Sequence, residues 1–301
     1  MKVYHVAKTG SDNAPGTAAK PFGSIGRAAR AAMPGDTVTV HEGVYREWVK
    51  PQNGGLTDVL RITYEAAPNE HVVIKGSERI TGWEPVEGGV WKAVLPNAFF
   101  GDYNPYCESL YGDWLVDPKD GSVHTGDVYL NGVSFYEAKS LAEVLHPQVR
   151  KTGFAPPWSF NAEYIRNPEQ TVYQWFAEVD DRNTTIYANF HDADPNAELA
   201  EINVRKCCFY PDRPHVDYIT VRGFEIAQAA CPWTPPTADQ PGMLGAHWSR
   251  GWIIENNDLH DAKCSAVSIG KEASTGHNLH TRTQRKPGYQ YQMEEIGRAH
   301  V

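Results

Sequence analysis

The sequence predicts an all-β protein: a parallel β-helix solenoid interrupted by an inserted β-sandwich. Three observations carry this. Short β-branched segments with Gly or Asn at their corners occur both early and late in the chain. Between them, over about 77–201, lie longer alternating segments with hairpin chemistry. One Ala-rich stretch near the N-terminus has readable helix ends.

The elements follow in order. Residues 2–6 alternate as a short strand, and 9–16 is turn chemistry. Ser24 is a natural N-cap for an Ala-rich helix over 25–33, stopped by Pro34-Gly35-Asp36. Its apolar stripe is Ile25, Ala28, Ala29 and Ala32, suited to covering the open apolar end of a first coil. Segments at 37–40, 61–64 and 72–75 each run into a corner, and the same grammar returns at 217–224, 251–257 and 266–270. Asn256-Asn257 suits a corner, because Asn tolerates the left-handed region and bonds its own backbone. An antiparallel sandwich with irregular turns is the competing reading of these short strands.

The middle stretch reads differently. Strands at 90–94, 127–130, 172–177 and 184–188 are longer, and Asn131-Gly132 marks a two-residue hairpin. Ser140 and Glu143 form a capping box for a short helix over 140–145. The expected domains are therefore 1–76, first solenoid coils with a capping helix; 77–201, inserted sandwich; 202–294, continuing coils; and 295–301, a tail.

Composition bounds the function. The 301 residues are 41% hydrophobic and 22% charged, as in globular proteins. Mean hydropathy is −0.51, and no apolar run approaches the roughly 20 residues of a membrane span. No apolar leader follows Met1, so no secretory signal is expected. A net charge of −9 opposes the basic footprint of a nucleic-acid binder, so neither nucleic acid nor membrane is an expected partner. Five cysteines lack CxxC or His/Cys zinc spacing and read as buried thiols in a reducing cytoplasm. No GxSxG, HExxH, P-loop or dinucleotide fingerprint occurs, and no metal or cofactor is expected.

The aromatic content is the informative excess: 9 Trp, 15 Tyr and 10 Phe, whose rings stack on sugars as readily as they fill cores. Glycoside hydrolysis needs two carboxyls across the scissile bond. Asp239, Glu255, Asp258, Asp261 and Glu272 are the candidate carboxyls in the late coils, but spacing pairs none of them, so no catalytic residue is assigned. His260 reads as a corner residue. Two loops could wall a sugar pocket: Tyr111-Gly112-Asp113-Trp114-Leu115, and the Pro-stiffened 231–242 loop with Trp233 and Asp239. Trp114, Trp233 and Asp239 are the candidate substrate-binding residues; rings folded onto the body of the protein are the alternative.

Four motifs then point to a family: YHVAKTGSD at 4–12, HEGVYREWV at 41–49, PPTADQPG at 235–242 and HDAKCSA at 260–266. Together they resemble the N-terminal part of the β-xylosidases of glycoside hydrolase family 120, from about residue 2 to 293. The resemblance implies a right-handed, pectin-lyase-like parallel β-helix with an inserted immunoglobulin-like sandwich. It implies retaining removal of xylose from the non-reducing end of xylo-oligosaccharides by an Asp nucleophile and a Glu acid/base. Trp114 matches a sandwich tryptophan that reaches the sugar. Both catalytic carboxylates are expected on later coils absent from this chain, so the fragment is expected to be inactive and its solenoid truncated. A homo-oligomer of the full-length parent is left open. The final EIGRAHV at 295–301 can be encoded by the start of a common sequencing-library adapter and is expected to be non-native. A β-helix polysaccharide lyase, with Lys263 or Lys271 near the cleaved bond, and a non-catalytic carbohydrate-binding solenoid are the alternatives.

Overall fold

The computed structural model describes residues 1–110, 122–153, 162–232 and 241–269. They form an all-β protein with two short α-helices, divided by contacts into two compact units. The first comprises 1–77 and the described residues from 205 onward; the second comprises the described residues of 78–204.

In the first unit the chain repeats one circuit. Strands Thr37–Val40 and Gly43–Arg46 are followed by Val49; Ile62–Ala66 and Val72–Lys75 are followed, after the second unit, by Phe209. Ile219–Arg222, Glu225–Ala227 and Leu244–Gly245 make the next pass, and Ile253–Glu255, Asp258–His260 and Val267–Ser268 another. Each pass adds one member to each of three parallel ladders. The first, opened by Val3–Val6, aligns Val38, Tyr64, Val221 and Ile254. The second aligns Tyr45, Ile74, Ile226 and Leu259. The third runs Val49, Phe209, Leu244, Val267.

Side chains alternate along each strand, so these aligned apolar residues share the inner face of the unit. Phe209 sits at the centre, fully buried, edge-on to Tyr64 at 5.0 Å and to Trp252 at 6.2 Å. Neighbouring strands of the third ladder approach so closely that a Cβ on Gly245 would lie 2.3 Å from the Ser268 carbonyl oxygen, which explains glycine there. Asn256 takes a left-handed corner (φ 54°). Asn257 does not bond its own backbone: its amide receives Phe224 N–H at 3.0 Å and donates to Val221 O at 2.9 Å, tying one pass to the one before.

The first helix, Ile25–Ala31, is two residues shorter than its sequence suggests, because Ala32 turns extended ahead of Pro34. Ser24 Oγ accepts from Arg27 N–H at 3.1 Å, as its position predicts. Two further helix amides, Ile25 and Gly26, donate to Glu47 Oε1 and Oε2 at 2.9 and 2.7 Å. Ile25, Ala28 and Ala29 are fully buried in one apolar cluster with Val6, Val38 and Val40.

The second unit holds two further sheets. One orders Tyr136–Glu137, Gln174–Val179, Asn183–Asn189, Val90–Pro96 and Glu84–Glu87; all pairs are antiparallel except the first. The other orders Val133–Ser134, Val128–Leu130, Ala200–Asn203 and Ser77–Arg79. Asn131 (φ 51°) and Gly132 (φ 82°) make the tight hairpin turn pairing Leu130 with Val133. One apolar core draws on both sheets around Trp175, Phe190, Ile186, Val128 and Ile202. Ile202 and Val204 belong to that core, which places the unit boundary after 204 rather than after 201. In the helix Leu141–Leu145, Glu143 completes the cap by accepting from Lys139 N–H rather than from Ser140.

Candidate functional site

Trp114, Trp233 and Asp239 lie outside the described residues, as does Glu272. What the structure gives is how the flanks are held. Leu110 N–H donates to Val123 O at 2.7 Å, and Ser109 bridges His124, so the ends of the Trp114 stretch are closed against each other. On the far side of the Trp233 stretch, Gly242 N–H donates to Ser268 Oγ at 2.8 Å and Met243 pairs with Cys208. The loop carrying Trp233 and Asp239 thus rejoins the first unit on its third ladder.

Two polar and aromatic groupings stand on that unit. In the first, Arg46 Nη1 donates to Ser77 O and Oγ at 3.0 and 2.9 Å, and Arg205 Nη1 donates to Ser77 O at 3.3 Å. Ser77 Oγ donates to Gln228 Oε1 at 2.5 Å. Gln228 is buried and left-handed (φ 61°), a strained placement that packing must enforce. Lys75 lies in register with Arg46 and Ala227. Cations and amides in such an array donate hydrogen bonds to oxygens without needing charge transfer.

The second grouping is aromatic. Trp48 Nε1 donates to Tyr210 O at 2.9 Å, and Lys50 Nζ lies 4.1 Å from the Trp48 ring centroid. Tyr210 and His247 stack at 5.1 Å and 28°, with Trp248 beyond. His247 Nδ1–H donates to Pro211 O at 2.7 Å, which fixes the ring. His247 and Trp248 are consecutive left-handed residues (φ 47° and 58°), a costly turn for bulky side chains. Their partly exposed rings are suited to sugar faces. Sequence reasoning assigned none of Trp48, Tyr210, His247 or Trp248; the only signal was the aromatic excess.

Of the late candidate carboxyls, Glu255 and Asp261 are occupied with contacts to neighbouring side chains. Glu255 and Glu65 flank Arg222 at 3.6 and 2.6 Å. Asp261 holds His260 Nδ1 at 2.6 Å, and Glu225 bridges His260 Nε2 (3.2 Å) and His71 Nε2 (2.6 Å). Burial alone would raise Glu225, but bonds from His71 and His260 outweigh it and hold the carboxyl below its ordinary range. Burial likewise acts to lower His260, and its bonds to Asp261 and Glu225 overcome this and raise it. Glu47 is raised by burial, against the pull of its two backbone bonds. Both Glu47 oxygens serve the helix, so its role is structural. Among the described residues, no three His, Cys, Asp or Glu side chains are arranged to hold a metal.

Residues 80–202 match the family described as "Glycoside hydrolase 120, insertion domain", a span inside the second unit. The whole chain matches a solved structure titled "The complex structure of XylC with xylose", at 59% identity over 99% of this chain, with a TM-score of 0.87. The chain spans 46% of the XylC chain. A 72-residue stretch of this chain is also 40% identical to "Uncharacterized protein YwoF" of Bacillus subtilis (strain 168), covering 24% of this chain and 15% of that protein.

Proposed function

We propose that this chain is the N-terminal part of a retaining β-xylosidase of glycoside hydrolase family 120 that removes xylose from the non-reducing end of xylo-oligosaccharides in the cytoplasm. The observation that carries the reading is 59% identity, sustained over 99% of the chain, to XylC, which was solved with xylose. In this reading the three ladders are the first coils of a right-handed, pectin-lyase-like parallel β-helix, and the second unit is an immunoglobulin-like sandwich spliced between passes. Trp114, Trp233 and Asp239 contact the sugar, Trp114 covering it as a flat ring. The nucleophilic Asp and the acid/base Glu belong to the part of the parent protein outside this chain. Binding and chemistry therefore separate: contacts here hold substrate, but barrier reduction needs the missing acids.

The test is a xylobiose titration of the 301-residue chain, following Trp fluorescence and free xylose together. The expected result is a saturable fluorescence change without xylose release, and loss of that change in Trp114→Ala. An unchanged titration in the folded variant would remove Trp114 from the sugar site, and xylose release by the pure chain would place the reacting acids within it.

A further inference from the structure

The second unit contains a cleft that the proposed reaction leaves unexplained. Two adjoining hollows, of about 170 and 290 Å³, share Glu137 and Lys139 and so form one groove beside the edge strand Tyr136–Glu137. The groove is built rather than incidental. Glu137, whose side chain is only 10% exposed, accepts His124 N–H at 3.0 Å and His124 Nδ1–H at 2.6 Å. A carboxylate can only accept, so the ring proton sits on Nδ1 and Nε2 is left as the acceptor. Phe176 supplies an apolar wall.

The deciding feature lies deeper in the groove. Gln174 is 94% buried (6% exposed), and its Nε2 is spent on Thr171 O at 2.9 Å. Among the described residues its Oε1 has no partner, and neither has Arg150 Nε, which lines the same hollow. A buried orphan costs about 1–3 kcal/mol, and natural structures hold few of them. Here one orphan acceptor and one orphan donor share a cleft. Both atoms are closed to solvent in this conformation, so a site there requires the Arg150 side chain, whose guanidinium lies over the Tyr136 ring at 5.6 Å, to turn aside for the ligand.

Charge narrows the ligand. Glu137 and Glu143 balance Lys139 and Arg150, and the buried groups left unspent are an amide oxygen and one N–H. An anion would face two carboxylates and that oxygen; a cation would face Lys139 and Arg150. Adjacent hydroxyls on a pyranose satisfy both orphans at once, one accepting from Arg150 and its neighbour donating to Gln174. We propose that the inserted unit carries its own binding site for a neutral sugar, engaged through vicinal hydroxyls by Gln174, Arg150 and His124. Xylobiose as probe rests on the proposed function, whereas the cleft does not.

The test is a xylobiose titration of the 301-residue chain, following the imidazole resonances of His124 alongside Trp fluorescence. The expected result is a saturable His124 shift that survives Trp114→Ala and weakens about tenfold in Gln174→Leu, the worth of one lost hydrogen bond of about 1.4 kcal/mol. Urea midpoints confirm that each variant is folded, and Arg150→Met, expected to weaken binding similarly, replaces Gln174→Leu should the latter unfold. No His124 shift in the native chain, or an undiminished shift in a folded cleft variant, would overturn the proposal. A fluorescence response without a His124 shift would leave the Trp114 reading standing while removing this one; the reverse pattern would do the opposite.

Discussion

Replacing Glu47 by Gln tests how the first helix is held. Glu47 gives one oxygen each to the Ile25 and Gly26 amides. Gln keeps one acceptor and turns the other into a donor, leaving one amide without a partner beside an opposing N–H. A lost hydrogen bond to a charged group is worth about 1.5–3 kcal/mol, and the helix dipole adds a few tenths. Against this stands the cost of ionising a partly buried carboxyl, which raises the Glu47 pKa above its ordinary 4.5. A net loss of about 1–2 kcal/mol at neutral pH follows. The pH dependence has a definite sign. With a raised folded pKa, the unfolded chain loses its proton first as pH climbs through 4.5, so the native protein loses stability until the folded pKa is passed. Gln does not titrate. The penalty of Glu47→Gln is therefore greatest near pH 4 and shrinks toward neutrality. Urea melts of both proteins between pH 4 and 7.5 would show it. A penalty that grows with pH would refute the reasoning, since it would mean that the ionised carboxylate is the favoured native form.

Two further outcomes are expected. Phe209→Ala removes the ring at the centre of the three ladders and should cost about 3–5 kcal/mol by urea denaturation; a loss under about 1 kcal/mol would mean that Tyr64 and Trp252 collapse into the space. The His71–Glu225–His260–Asp261 string should help most between about pH 4.5 and 6.5. His260, raised, contributes fully below 6.5 and loses its effect as pH climbs through its folded value; Glu225, lowered, contributes above 4.5 and loses it as pH falls through its own. Half-exposed, the string is worth at most about 1 kcal/mol, and His260→Gln should flatten that window; an unaltered stability profile would count against the pairing.

What could be read ahead of the structure was local. Ser24 and Pro34 bracket a helix because capping and the missing proline N–H act within one turn. Asn131-Gly132 announces its hairpin because both residues take the left-handed region cheaply. Glu143 has the right spacing for a cap but bonds Lys139, one residue before the expected partner. The ladder contacts were beyond reach. Glu225 meets His260 35 positions on and His71 154 positions back, and no pattern in a single chain pairs residues at those distances. The same holds for Trp48 against Tyr210, 162 positions apart, and for the shared hollow of Gln174 and Arg150. The candidate sugar residues Trp114, Trp233 and Asp239 rest on loop chemistry and family likeness, which say which side chains are suited but not where they stand.

Arg205 N–H donates to Gly76 O at 3.0 Å, and its guanidinium reaches Ser77, 128 positions away in the chain. Joining those points across an unstructured segment would cost about 4 kcal/mol of chain freedom. The inserted unit removes most of that burden itself, since Ile80 N–H is already bonded to Ala200 O at 2.9 Å. The folding order expected from this has the guest assembling first, its closed neck delivering Arg205 to Gly76 before the host adds its next pass, an order that stopped-flow refolding with separate probes in the two units would check. A lesion deep in the guest, at Trp175 for example, should therefore delay formation of the host while leaving every host contact chemically intact.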